Sequence, residues 1–308
     1  MPSRRLPSAL LVVCLVALSG ALHDPLFAQA RGPVVPPPSA PATVARDDAG
    51  QATIRAVRLE RPIQLDGRLD DEAYEHTPPI DGFIQQEPTE GAPATEKTLV
   101  WVFYDDRNIY VSARCYDSHP EREVATEMRR DNNNVTQNEN FTVVFDTFLD
   151  RRNGLFFQTT PLGTYRDQAV VDDVLNVNWN TVWTVRTGTF DGGWTAEFAI
   201  PFKSLRYPAP GPQVWGVNFR RVVKWKNEFS YLTAMPRSYG TGNAIGRMGP
   251  AGTMVGLETP SASKNLELKP YAVATSTTDR AATVPFSNDP RGNGGFDFKY
   301  GFHTPTLR

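Results

Sequence analysis

Cysteine and histidine are scarce in this sequence, with two and four copies in 308 residues. Cys14 lies in the N-terminal segment interpreted below as a cleaved signal, so the mature chain keeps one cysteine and forms no internal disulfide. Cys115 shares one face of an alternating strand with Ile109, Val111 and Ala113, which predicts a buried, inert thiol. The histidines are scattered and the sequence has no C-x-x-C, so nothing supports a zinc site.

A basic excess and a long apolar run are also missing. The sequence has 32 Lys and Arg against 34 Asp and Glu, which gives no argument for a nucleic acid partner. The uncharged run at residues 9–22 is too short to span a bilayer as a helix. Because two arginines precede this run and A-Q-A follows it at residues 28–30, residues 1–30 are predicted to be a secretory signal.

The rest of the chain divides by composition. Residues 31–50 are rich in Pro, Ala and Asp and are predicted to form an extended linker. Residues 51–258 carry many short segments with alternating faces, separated by Gly, Pro, Asn and Asp. This texture predicts an all-β domain, an antiparallel β-sandwich. Helical pattern is limited to residues 70–76 and 121–130.

Four segments carry more specific information. P-I-Q-L-D-G-R-L-D-D-E-A-Y at residues 62–74 predicts a strand, a tight D-G turn and an acidic helix start. G-W-T-A-E-F-A-I-P-F-K-S-L-R at residues 193–206 places Trp194 and its alternate neighbours on one face of a strand. Y-D-D-R-N-I-Y-V at 104–111 and F-T-V-V-F-D-T-F at 141–148 complete the set.

In this order, the four segments resemble the family 9 carbohydrate-binding module and its relatives, over about residues 54–258. The resemblance implies a β-sandwich that binds carbohydrate, often with structural calcium. In bacterial exported proteins, a module of this type precedes a C-terminal outer-membrane barrel. The resemblance therefore implies a protein of the periplasm or outer membrane, with a carbohydrate ligand and a role in carbohydrate capture or catabolism.

Residues 259–308 have a different texture from the sandwich. Two further strands are predicted, at Leu266–Ala274 and Phe296–Phe302. In the second, aromatic and charged residues alternate, which is typical of the wall of a transmembrane β-barrel. Two strands do not close a barrel. The expectation is therefore an incomplete barrel domain in a truncated chain, with two edge strands or an unstructured tail as the alternative.

The richest polar cluster runs through D-N-N-N at 131–134 and N-E-N at 138–140. Carboxylate and amide oxygens gathered in a loop are what calcium requires, although the spacing is not that of an EF-hand. Asp117, Asp131 and Glu139 are the predicted ligands of a structural calcium ion. An ordinary Asn-rich loop is the alternative interpretation.

A sugar site needs an exposed aromatic beside polar groups. Trp179 lies in N-V-N-W-N, flanked by Asn178 and Asn180, and is predicted to stack on a sugar. The resemblance adds two positions. One tryptophan of the family's sugar clamp falls near Tyr239, and an arginine of the family falls at about Gln158.

The other clamp tryptophan of the family falls at Val135-Thr136 of this chain, and a glutamate of the family falls at Thr142. Three functions stay open at this point. The first is a non-catalytic carbohydrate-binding module, the second a glycoside hydrolase or an accessory domain of one, and the third a structural periplasmic domain of an outer-membrane barrel. The hydrolase requires two carboxylates flanking a bond, and the sequence does not reveal such a pair.

Overall fold

The computed structural model describes residues 35–260, 266–278 and 288–300, and these residues form one α-helix and 17 strands. The helix, α1, is Glu72–His76. The strands are β1 Val44–Arg46, β2 Ala52–Arg55, β3 Val57–Arg58, β4 Ile84–Glu87, β5 Thr98–Tyr104, β6 Asn108–Tyr116, β7 Asn140–Asp146, β8 Gly154–Thr159, β9 Tyr165–Val171, β10 Val174–Asn176, β11 Thr184–Phe190, β12 Gly193–Pro201, β13 Gly211–Val223, β14 Glu228–Tyr231, β15 Gly252–Thr259, β16 Leu266–Thr278 and β17 Asn288–Tyr300. Short 3-10 helices lie at Pro120–Arg122, Asn133–Gln137, Phe202–Ser204, Lys224–Lys226, Arg237–Tyr239 and Ala244–Gly246.

Two sheets face each other in a β-sandwich. The large sheet has the order β1-β2-β15-β13-β7-β8-β9-β10, with β14 pairing with β13 and β4. The small sheet has the order β11-β12-β6-β5-β3. Strand pairs are antiparallel except β15 with β2 and β3 with β5, which are parallel. The predicted fold class is confirmed, with these two parallel pairs as additions.

The core between the sheets is built from aromatic side chains on alternate strand positions. Trp194 and Trp215 are fully buried, as their position in the strand pattern predicts. Trp183 stacks on Phe198 with ring centroids 5.5 Å apart and an interplanar angle of 6°. Cys115 is also fully buried in this core, as predicted.

The two longest motif segments meet at one buried carboxylate. Glu197 of β12 accepts hydrogen bonds from the backbone N–H of Gly67 at 2.6 Å and of Asp66 at 3.0 Å. Its other oxygen accepts from the Tyr74 hydroxyl at 2.7 Å. Gly67 has φ +84°, and a Cβ there would lie 2.6 Å from the backbone carbon of Thr187, so only glycine fits. The D-G turn therefore fastens α1 to the small sheet.

Each sheet is covered on its outer face by its own segment. On the small sheet, Tyr74 of α1 packs edge-on against Trp101 and Phe103, at 5.4 and 5.5 Å. On the large sheet, residues 235–248, here called the covering segment, pack against the outward side chains of β7, β8 and β9. The sandwich thus has an apolar cluster outside each sheet as well as between them.

Several elements differ from the sequence-based expectations. Residues 44–46 of the predicted linker form β1, which pairs with β2, so this part of the linker belongs to the sandwich. The helix expected at 121–130 is reduced to the 3-10 turn Pro120–Arg122. Strand β9 was not expected because R-D-Q at 166–168 is polar at three successive positions, and all three side chains are buried.

The C-terminal strands β16 and β17 pair with each other as an antiparallel hairpin. Their existence is confirmed, and the barrel remains a prediction. Residues 1–30, the predicted signal, lie outside the described residues. Among the residues whose structure is described, no helix has the length and apolar character of a membrane span.

Candidate functional site

A row of buried polar side chains crosses the outer face of the large sheet. Residues paired across neighbouring strands point to the same face, and the registers of β9, β8, β7, β13 and β14 place five side chains in line. Each of the five is at most 5% exposed. This outer row consists of Arg166, Gln158, Thr142, Arg220 and Tyr231.

Gln158 is the centre of the hydrogen-bond network in the outer row. Its Oε1 accepts from Arg166 Nε at 2.6 Å. Its Nε2 donates to Thr142 Oγ1 at 2.9 Å and to Asn140 Oδ1 at 2.8 Å. Gln158, predicted from the resemblance to contact ligand, therefore holds its neighbours in place and is itself fully buried.

The two arginines of the outer row have no acidic partner. Among the described residues, no carboxylate lies within 4.0 Å of either guanidinium. Burial, and secondarily the like charge of Arg220, lowers the pKa of the Arg166 guanidinium to about 10. The row therefore carries positive charge that the protein does not neutralise by direct pairing.

The covering segment closes over the outer row. Ala244, Ile245 and Met248 form an apolar cluster with outward residues such as Val144 and Phe156. Within the same segment, the carbonyl of Thr241 accepts from Arg220 Nη1 at 3.3 Å. The covering segment thus provides an apolar lid with one polar contact to the row.

Tyr239 lies at the surface of the covering segment. Its side chain is 37% exposed, and the guanidinium of Arg247 lies 5.6 Å from its ring centroid. The adjacent Gly240 and Gly242 would have no atom within 4 Å of an added Cβ, so the chain is loosely packed beside Tyr239. An aromatic ring is therefore available at the rim of the row.

Trp179 and its two asparagines lie elsewhere. The Trp179 ring is half-buried and packs edge-on against Phe157, with centroids 6.1 Å apart. Phe157 and Gln158 are successive on β8, so they point to opposite faces of the sheet. Asn178 is exposed, and Asn180 Oδ1 accepts from Arg130 Nη2 at 2.8 Å.

The predicted ligand-binding residues thus separate into two groups. Gln158 and the segment carrying Tyr239 belong to the outer face, and the Trp179 group belongs to the edge of the inner face. Sequence reasoning missed Arg166 and Arg220. The signal was present, because charged residues inside short strands are seldom buried without a specific role.

The three predicted calcium ligands are each occupied by protein donors. Glu139 pairs with Arg221 at 3.0 Å, and burial raises the pKa of the Glu139 carboxyl while Arg221 opposes the rise. Asp117 accepts from Trp225 Nε1 at 3.2 Å. Asp131 is exposed and pairs with Arg130 at 3.1 Å.

Within the described part of the chain, no group of three or more His, Cys, Asp or Glu side chains is arranged to hold a metal. The Asn-rich segment has another use. Asn138 Oδ1 accepts from the backbone N–H of Thr126 and Glu127, at 2.5 and 3.1 Å, and Asn132 Oδ1 accepts from Asn134 N–H at 2.8 Å. Calcium at these residues stays a prediction that the geometry does not support.

A cleft of about 410 Å³ lies on the small-sheet side, between α1 and residues 57–63. Its charged side chains include Arg61 and Glu72, which pair at 2.8 Å and are both more than half exposed. The acidic residues that line it are Glu60, Asp71 and Glu72. The cleft is a surface feature between residues 57–63 and α1, and its lining includes none of the predicted site residues.

Three solved structures, of two carbohydrate-related proteins, are similar to this chain. A proposed carbohydrate-binding protein from Bacteroides uniformis aligns with 66% of this chain and 98% of its own, with 8% identity and a TM-score of 0.51. A family 9 carbohydrate-binding module from Caldicellulosiruptor kristjanssonii, solved with cellotriose, aligns with 68% of this chain and 96% of its own, at 17% identity and a TM-score of 0.46. The same module solved with glucose aligns with 68% of this chain and 97% of its own, at 16% identity and a TM-score of 0.47.

No curated protein sequence matches this chain. The sequence profile of the carbohydrate family 9 binding domain-like family matches residues 65–223, which is more than half of the chain. The match begins just before the D-G turn and ends with β13. It includes most of the first motif segment, the other three in full, and the whole outer row except Tyr231. The chain belongs to the carbohydrate family 9 binding domain-like family.

Proposed function

We propose that residues 51–258 act as a non-catalytic carbohydrate-binding module. The observation that carries this proposal is the outer row beneath the Tyr239 segment. Ligand sites are typically apolar pockets with a few fixed polar groups that orient the ligand. The row supplies the amide of Gln158 and two guanidinium groups, with Asn140 hydrogen-bonded to Gln158 and the apolar covering segment above them. Tyr239 supplies an aromatic face at the rim.

The five side chains of the outer row include no carboxylate. Hydrolysis of a glycosidic bond requires two carboxyl groups on either side of that bond. The row therefore favours binding, and no particular observation favours the glycoside hydrolase or the purely structural domain.

A glycan array probed with the purified chain tests the proposal, followed by calorimetric titration of the glycans retained. Tyr239→Ala is expected to weaken binding about tenfold, because an aromatic anchor contributes on the order of 1–3 kcal/mol. Phe148→Ala is the matched control, since Phe148 is 53% exposed and lies beyond the end of β7, outside the row.

The effect of Trp179→Ala on glycan binding shows which of the two groups of predicted site residues contacts the ligand. If Trp179→Ala abolishes binding while Tyr239→Ala does not, the ligand lies at the Trp179 edge and the outer row is not the site. If no glycan is retained by the wild-type chain at concentrations up to the millimolar range, the proposed function is wrong.

We further propose that the protein is exported and associated with the outer membrane. The signal-like residues 1–30 support export. The exposed aromatics Phe296 and Phe298 of β17 support a membrane role for the hairpin. Fractionation of cells that express the full chain is the test. We expect the protein in the periplasmic or outer-membrane fraction with residues 1–30 removed, and recovery from the cytoplasm with Met1 intact would contradict the proposal.

A further inference from the structure

The feature that calls for explanation is uncompensated charge in the outer row. Arg166 and Arg220 are 5% and 3% exposed, and two strands, β8 and β7, separate them. A buried charge is costly unless it is paired and hydrogen-bonded. Asp131 is the acidic group that acts on Arg166, yet its carboxylate is exposed and pairs with Arg130. Within the described part of the chain, a second and stronger acidic partner for these arginines is therefore missing.

The hydrogen bonds of Arg220 are also incomplete. Its Nε has no partner among the described residues. Its Nη2 reaches Thr142 Oγ1 at 3.4 Å and its Nη1 reaches the Thr241 carbonyl at 3.3 Å, and both contacts are long for hydrogen bonds from a charged donor. A guanidinium has five N–H donors in a planar fork, and besides these two contacts Arg220 interacts with the Tyr231 hydroxyl. Part of its capacity, including the Nε donor, is therefore unused among the described residues.

The chemistry of the row points to a carboxylate. Guanidinium groups bind carboxylates through two parallel N–H···O bonds, and this pairing is stronger in a site from which water is excluded. Val144 and Phe156 on the sheet and Ile245 on the covering segment provide such an apolar wall. Beside the arginines, the Gln158 amide donates to Thr142 and Asn140, and the Asn140 amide donates to the Asn138 carbonyl. Each amide oxygen accepts one hydrogen bond and has a second lone pair that is suited to a sugar hydroxyl.

We propose that the outer row binds the carboxylate of an acidic sugar, a uronic acid residue of a glycan, between Arg166 and Arg220. This inference rests on the proposed carbohydrate-binding function and names its ligand class. The carboxylate takes the place of the Thr241 carbonyl as the acceptor for Arg220. The sugar ring then lies beneath the Tyr239 segment, with its hydroxyls toward Gln158.

The route to the row passes through the covering segment at Gly240–Gly242. Thr241, whose carbonyl contacts Arg220, lies between these two glycines. Both glycines are exposed and uncrowded, and Gly240 has φ +68°. The glycines add no side-chain packing here, and the Gly240 carbonyl accepts from the Ala244 N–H at 3.1 Å. Entry of a ligand therefore requires a local shift of residues 240–242, with few side-chain contacts to break.

The experiment compares oligogalacturonate and oligoglucuronate with their methyl esters, by calorimetric titration into the full chain. Acid and ester have the same ring and the same hydroxyls, and they differ only at the carboxyl group, which is charged in the acid and neutral and methylated in the ester. We expect one of the two acids to bind at least tenfold more tightly than its ester. We expect Arg220→Gln and Arg166→Gln each to reduce affinity for that acid at least tenfold and to bring the ratio of acid to ester affinity close to one, since the lost pairing concerns the carboxylate.

Arg152→Gln is the control for net charge, because Arg152 is exposed and pairs with Asp172 at 2.8 Å, far from the row. Its affinity for the acid is expected to equal that of the wild type. Should the arginine variants fail to fold, the inference is tested by the melting temperature of the wild-type chain with the acid and with the ester. A bound ligand stabilises the folded state by mass action, so the acid is expected to raise the melting temperature more than the ester does at the same concentration.

Each other outcome overturns the inference in a recognisable way. Equal affinity for acid and ester means that the row reads a neutral sugar, and the proposed function then stands without the acidic ligand. Binding of sodium sulfate with no binding of any saccharide means an anion site unrelated to glycans. Failure of the acids, the esters and the whole glycan array overturns the proposed function as well.

Discussion

Arg220 and Arg221 are neighbours on β13, yet of the two only Arg221 has an acidic partner among the described residues. Arg221 points between the sheets, where it pairs with Glu139 at 3.0 Å and lies 5.1 Å from the centre of the Trp194 ring. Arg220 points to the outer face and has no carboxylate within 4.0 Å in the described residues. Both are at most 3% exposed. Burial alone therefore does not distinguish a scaffold charge from a ligand-binding charge, and the presence of a protein counter-charge does.

The comparison also explains why Glu139 is a poor calcium ligand. Its Oε2 lies 3.0 Å from Arg221 Nη1 as an ion pair, and its Oε1 accepts from the Lys224 backbone N–H at 2.8 Å. A metal at Glu139 would have to displace this pairing. The acidic side chain that looked like part of a metal site in the sequence is instead the counter-charge of the core arginine.

Breaking the inner pair is expected to have the largest effect. Removal of one partner of a buried ion pair leaves an uncompensated charge and costs about 3–5 kcal/mol. Glu139→Gln is therefore expected to lower the free energy of unfolding by this amount, measured by urea denaturation with tryptophan fluorescence. The double variant Glu139→Leu/Arg221→Met should recover most of the loss, because both charges are gone. A single-variant loss below about 1 kcal/mol would show that the pair is not structural.

Truncation of Trp179 is expected to have the next largest effect on stability. Compared with truncation of Trp194, it distinguishes a residue at the edge of the core from one at its centre. Its ring packs half-buried against Phe157, so Trp179→Ala is expected to cost about 1–3 kcal/mol of stability. Trp194→Ala, at a fully buried site, is expected to cost about 3–5 kcal/mol by the same reasoning. Denaturation curves of the two variants test the order. Equal losses would mean that Trp179 is a full member of the core and not a border residue.

On the outer face, Arg220→Met is expected to leave stability within about 1 kcal/mol of the wild type or to raise it, because an unpaired buried charge is replaced by an apolar side chain of similar length. The measurement is the same denaturation series in the absence of ligand. A loss above about 2 kcal/mol would place Arg220 with Arg221 as a scaffold residue and would remove the contrast between the two faces.

The sequence predicted the sandwich because its strands keep strict alternation. Trp194, Phe198 and Ile200 share the core face of β12, and all are fully buried. The alternation fails in β9, where Arg166 faces outward and Asp167 inward, and both are buried. No local pattern reveals that Asp167 accepts from the indole of Trp183 at 3.0 Å, since this contact depends on the tertiary fold.

The site was only partly predictable for a related reason. The resemblance placed Gln158 and Tyr239 on the side of the sheet where the outer row lies. The local composition around Trp179 suggested an exposed platform, and the ring instead packs against Phe157. Whether an aromatic in an Asn-rich loop faces solvent depends on which strand lies beneath it, and a single sequence does not contain that information.

Chemical labelling of Cys115 tests the contrast between Arg220 and Arg221 without a destabilising change at Cys115 itself. The labelling rate measures how often the core opens. The thiol is fully buried, and burial raises its pKa to about 12, with Arg221 opposing the rise. Because the thiolate is the reactive form, iodoacetamide at pH 8 is expected to leave Cys115 unmodified in the folded chain and to modify it fully in urea, as followed by peptide mass spectrometry.

In Glu139→Gln, a loss of about 3 kcal/mol in the free energy of unfolding should increase the labelling rate of Cys115 roughly a hundredfold, because labelling requires opening of the core. Arg220→Met should label at the wild-type rate, since its side chain lies on the other face. Equal acceleration by both variants would show that the two faces open together and that the two arginines do not have separate roles.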